Sequence, residues 1–119
     1  MEREAAEPAE AQQTFNLAHA RFFRVLGDPT RLALVQELLG GPHTVSELVR
    51  KLDMPQSRVS NHLACLRWCH FVTAERKGRQ VVYSIGDARL RQLLRLATHL
   101  IGDDQDRLAA AGGIGPEWL

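Results

Sequence analysis

Between Ala11 and Leu26 the apolar positions Phe15, Ala18, Phe22, Val25 and Leu26 recur at three- and four-residue spacing, which predicts an amphipathic helix. Gly27-Asp28-Pro29 stops it, with Asp28 placed to cap a second helix and Pro29 at that helix's first position. The second helix carries Leu32, Leu34, Val35, Leu38 and Leu39 and ends at Gly40-Gly41-Pro42. Thr44 and Glu47 have the Thr-x-x-Glu spacing of a capping box and open a third helix containing Leu48, Val49 and Leu52. After a short break at Asp53-Met54-Pro55, a fourth helix opens at Gln56 or Ser57 and reaches about Cys69. Two short helices joined so tightly form the pattern of a helix-turn-helix.

Beyond Cys69 the period changes. Phe71–Arg76 and Gln80–Ile85 are β-favouring runs on either side of Lys77-Gly78-Arg79, which predicts a β-hairpin with a basic tip. Asp87 is placed to cap a last helix running to about Ile101, with Leu90, Leu93, Leu94, Ala97 and Leu100 or Ile101 on one face. The expected fold is mainly α with a small β-hairpin, a winged helix-turn-helix. Its domain covers 11–102, between an acidic N-terminus (1–10) expected to be disordered and a Gly-rich tail (103–119).

Composition alters this picture in one respect. The chain has 119 residues, 45% hydrophobic and 24% charged, which fits one ordinary globular domain. No apolar run approaches the roughly 20 residues needed to cross a bilayer. The acidic start lacks the apolar core of a secretory signal, so a cytoplasmic protein without membrane contact is expected. The net charge of +1 hides an uneven distribution. From Arg50 to Arg95 ten basic residues face three acids, leaving that stretch at +7 and the rest of the chain at −6. A basic middle between acidic flanks indicates a polyanionic partner for the middle.

Placing the fourth helix on a wheel separates its faces. With Val59 at zero, Leu63 falls at about 40° and Leu66 at about 340°, a stripe for the core. Ser57, Ser60, Asn61 and Ala64 fall between about 100° and 200°, a small polar face with Arg67 beside it at about 80°. Small side chains let a helix approach base edges, where Asn and Arg make bidentate contacts. Gln56, Ser57, Arg58, Ser60, Asn61 and Arg67 are therefore the candidate contacts to double-stranded DNA on this helix. Arg76, Lys77 and Arg79 at the hairpin tip are the candidate phosphate contacts. His62, at about 300° beside the core stripe, is expected to be a hydrogen-bonded structural histidine.

Leu26-Gly27-Asp28-Pro29-Thr30-Arg31 and Val59-Ser60-Asn61-His62-Leu63-Ala64-Cys65-Leu66 resemble the signatures of the arsenic- and zinc-sensing (ArsR/SmtB-type) bacterial repressors. Gly78-Arg79-Gln80-Val81-Val82-Tyr83-Ser84 is similar to that family's wing. The resemblance, over roughly Ala18 to Leu100, implies a homodimer built on the first and last helices. It also implies a palindromic operator, bound until an inducer releases the protein.

Members of that family sense through different ligand sets. The third-helix thiolate site needs Cys-x-Cys where this chain has Thr44 and Ser46. The last-helix site needs histidines where it has Arg89 and Leu100, alongside Asp87 and Asp103. Neither site is present. Cys65 and Cys69, the only cysteines, are spaced i, i+4 on the recognition helix at about 240° and 280°, away from the reading face. Two thiolates on adjacent turns can converge on one soft ion.

The segment Ser60–Cys69 resembles the cadmium- and lead-sensing branch, which implies cadmium, lead or mercury as inducer. That branch takes a third thiolate from the other subunit's C-terminal region. Here Ala109-Ala110-Ala111-Gly112-Gly113 holds no cysteine at the expected place. The tail offers another donor, or the ion is two-coordinate as mercury tolerates, or sensing is lost.

The alternative function is a repressor of the same fold that responds to oxidation of the two thiols. A protein-interaction module fits the basic wing and small polar face poorly. An enzyme is not expected, since there is no glycine-rich phosphate loop and no nucleophile–base pair.

Overall fold

The structure, a computed structural model, describes residues 2–102, with side chains from residue 9 onward. Five helices and three strands follow the order α1 (Glu2–Leu26), α2 (Pro29–Leu39), β1 (His43–Thr44), α3 (Val45–Leu52), α4 (Gln56–Trp68), β2 (Val72–Lys77), β3 (Gln80–Ile85) and α5 (Arg89–Ile101). The chain divides after Gly86 into two compact units. The 11–102 domain of the sequence reading spans both, and its tail, 103–119, lies outside the described residues.

In the first unit, local chemistry sets each helix boundary. Asp28 caps α2 by accepting the Arg31 N–H at 2.9 Å, and Pro29 opens the helix as expected. The capping box of α3 is complete: Thr44 Oγ1 accepts the Glu47 N–H at 3.2 Å, and Glu47 Oε1 accepts the Thr44 N–H at 3.1 Å. The Thr44 N–H and the Thr44 hydroxyl, which also donates to Glu47 Oε1 at 3.1 Å, hold the Glu47 carboxyl below its usual range. Asp53, at φ 50°, ends α3 in the left-handed region, so the turn into α4 is only Asp53-Met54-Pro55. The hairpin turns at Gly78-Arg79, with positive φ at Gly78 and not at Arg79. A glycine at the first turn position suits a type II′ connection.

One core joins these elements. Leu34, Val35 and Leu38 of α2, Leu48 of α3, Val59, Leu63 and Leu66 of α4, then Phe71 and Val72, are all buried. Each such side chain contributes about 1.5–3 kcal/mol on leaving water. The α4 stripe is the one the helical wheel gives.

Three features differ from the expectation. Residues 2–10 are helical and continue α1, where disorder was expected over 1–10. The stretch is short of apolar residues, but its Ala, Glu and Arg are strong helix formers, and propensity prevails over the missing apolar stripe. A third strand, β1, pairs with β3 (His43↔Tyr83, Thr44↔Val82), so the sheet order is β1-β3-β2. Asp87, in the second unit, does not cap α5, which starts from Ala88 without a side-chain cap. Its carboxylate instead accepts the Arg89 N–H at 2.9 Å and the Arg89 guanidinium at 2.6 Å, which pulls its pKa down to about 2.

Large apolar side chains remain exposed in both units. On α1 they are Phe15, Leu17, Phe22 and Phe23, and on α5 Leu96 and Leu100. Phe22 also reaches the core, with its ring 4.8 Å from that of Phe71.

Candidate nucleic-acid interface and thiol pair

Helix α4 is anchored by its buried stripe, which turns the opposite side outward. Gln56, Ser57, Arg58, Asn61, Ala64 and Arg67 are exposed, and Ser60 is half-buried. The helix starts at Pro55 with no side-chain cap. Its first backbone N–H groups are therefore not taken up by a side chain, an arrangement suited to a phosphate. Arg76 and Lys77 end β2 and Arg79 lies in the turn, all three exposed. Six of the nine candidate DNA contacts thus lie on α4 and three at the hairpin tip; on the wheel Arg58 falls at about 260°, on the side of Cys65 and Cys69 and apart from the other five.

Cys65 and Cys69 lie on another flank of α4, both half-buried free thiols. The Cys69 N–H donates to the Cys65 carbonyl at 3.1 Å, so Cys69 closes the helix. Burial pushes the Cys69 thiol up. The adjacent Cys65 thiol adds to this through charge and a hydrogen bond, and Arg31 opposes it. The donor chemistry of two neighbouring sulfurs fits a soft ion. Among the described residues no third His, Cys, Asp or Glu joins them.

His62 shares that flank but faces elsewhere. Its Nδ1 stands 3.5 Å from Arg31 Nη1 and 3.9 Å from Asp28 Oδ2, beside the start of α2. His62 is half-buried beside these two groups, though both separations are longer than a full hydrogen bond. Arg31 itself is a residue the sequence reading passed over. Its Nε donates to the Val25 carbonyl at 2.8 Å and its Nη2 to the Arg24 carbonyl at 3.3 Å, tying the end of α1 to the start of α2. The available signal was its place in the Gly-Asp-Pro-Thr-Arg segment, two residues beyond a helix-opening proline.

A helix-turn-helix with an outward polar recognition face and a basic antiparallel hairpin defines a winged helix-turn-helix DNA-binding regulator, not an enzyme. Residues 28–74 match the family described as bacterial regulatory protein, arsR family. The chain is 48% identical over 85 residues to a probable mercury resistance operon repressor of Streptomyces lividans, an alignment covering 71% of this chain and 68% of that protein. It is 41% identical over 95 residues to the HTH-type transcriptional regulator CmtR of Mycobacterium tuberculosis, covering 79% and 80%. The solution structure of the cadmium metal-sensor CmtR of M. tuberculosis superposes with a TM-score of 0.56 at 43% identity, covering 65% of this chain and 80% of that one. The chain belongs to the arsR family of transcriptional regulators. No described helix is long and apolar enough to cross a membrane.

Proposed function

We propose that this regulator is a metal-responsive repressor. As a homodimer it binds a palindromic operator, and a soft heavy-metal ion (cadmium, lead or mercury) held by Cys65 and Cys69 releases it. Gln56, Ser57, Arg58, Ser60, Asn61 and Arg67 read and position the duplex, while Arg76, Lys77 and Arg79 neutralise phosphates along its edge. Dimerisation through α1 and α5 would cover the apolar side chains each leaves exposed.

The observation that carries the reading is the placement of two adjacent thiols on the recognition helix, off its reading face. An ion bound there acts on the reader itself. To release DNA it must favour the non-binding arrangement by about 1–3 kcal/mol. The relatives named for mercury resistance and cadmium sensing support a soft ion. Two sulfurs without a third described donor suit mercury, which accepts two-coordinate thiolate binding.

Metal titration followed by thiolate-to-metal absorption, paired with operator binding, tests the proposal. The intact chain gains the absorption and loses DNA with the same stoichiometry. Metal-induced release that persists unchanged in Cys65→Ser/Cys69→Ser refutes it.

A further inference from the structure

Trp68 is 85% exposed, more than any other large hydrophobic side chain described. The α4 core stripe is complete without it, since Val59, Leu63 and Leu66 already fill that side. On the wheel Trp68 falls at about 180°, between Ala64 and Asn61, so it extends the polar reading face by about one further turn. With Ala64, Arg67, His70 and Tyr83 it lines an open cleft of about 560 Å³. That cleft lies between the end of α4 and the wing strand β3. None of the lining residues is acidic, and the same hairpin carries Arg76, Lys77 and Arg79 to its tip.

We propose that this cleft receives one sugar–phosphate strand of the bound duplex, beside the base-reading residues. The Trp68 indole lies against the deoxyribose, and Arg67 takes the adjoining phosphate. A DNA strand alternates apolar sugar faces with anionic phosphates, and an aromatic wall next to a cation matches that alternation. Ala64 leaves room for the strand between them. The continuity of the cleft with the reading face, together with its positive charge, favours DNA over a protein segment. This inference rests on the DNA-reading role proposed for α4.

Duplex binding by fluorescence anisotropy tests it, using a duplex that the wild-type chain selects from a randomised library and a mixed-sequence duplex for comparison. Trp68→Ala weakens both by about tenfold, the factor expected when some tens of square ångströms of ring lose their cover. Because the indole is neutral, the salt dependence keeps its slope, whereas Arg67→Ala lowers the slope by about one. Trp68→Phe recovers most of the loss. In a Trp118→Phe background, where Trp68 is the only indole, its emission changes on adding either duplex. Unchanged affinity of Trp68→Ala for both duplexes overturns the proposal while leaving DNA reading intact. So does a Trp68→Ala effect confined to oligomer mass in ultracentrifugation. If the wild-type chain selects no duplex, the DNA-reading role fails and this inference with it.

Discussion

Removing the Arg31 guanidinium should destabilise the protein by about 2 kcal/mol, and the structure shows why. Its Nε donates to the Val25 carbonyl at 2.8 Å and its Nη2 to the Arg24 carbonyl at 3.3 Å. Both carbonyls lie in the last turn of α1, where intrahelical partners run out. The Val25 bond is partly buried, and a hydrogen bond to a charged group contributes about 1.5–3 kcal/mol. The Arg24 carbonyl also accepts the Gly27 N–H at 3.2 Å, so losing the second bond adds little. The 3.5 Å separation from His62 is too long to count as a full hydrogen bond.

Arg31→Met, which keeps an apolar stem, should show most of this loss. Arg31→Lys should recover less than half, because an ammonium lacks the planar fork that reaches two carbonyls. Urea unfolding at matched protein concentration measures the effect. With a slope of about 1–3 kcal/mol/M, the midpoint falls by about 1 M in Arg31→Met. A midpoint equal to wild type in Arg31→Met, or full recovery in Arg31→Lys, refutes the assigned role.

Three further outcomes follow from local geometry. Gly86→Ala should cost about 1–3 kcal/mol in urea unfolding, because an added Cβ would sit 2.7 Å from the His70 carbonyl oxygen, a backbone atom with little freedom to retreat. Thr44→Ala should cost about 1 kcal/mol by the same measurement, through loss of the α3 cap. The Asp87 carboxyl should titrate by NMR near pH 2, and Arg89→Ala should return it towards 3.8. Since its folded pKa is depressed, the stabilising pairing is complete above pH 3.8 and is lost as the pH falls towards 2.

Much of the architecture was readable from the chain because the signals were local. Asp28-Pro29 and Thr44/Glu47 determine helix starts within four residues, and the spacing of Val59, Leu63 and Leu66 orients α4 without reference to anything distant. What the sequence hid is mostly non-local. Strand β1 has only two residues, and its partner Tyr83 is forty positions away from His43. No periodicity can register so short an element. Arg31 resembled any surface arginine until folding brought the end of α1 within its reach. Asp87 was misread for a different reason: the side chain of Arg89 competes for the same carboxylate that would have capped the helix. For the site, the angular separation of the thiols from the polar face was legible, whereas the Asp28–His62–Arg31 grouping needed α2 and α4 brought together.

Helix α4 and its cap residue Cys69 carry distinct sets of side chains: one anchors in the core, one is polar and exposed, and Cys65 with Cys69 supplies two sulfurs. Such a rod is modular. Other donors could replace Cys65 and Cys69 while Ser57–Asn61 stayed unchanged, so the chemical input and the genetic output of the switch could drift, or be engineered, independently.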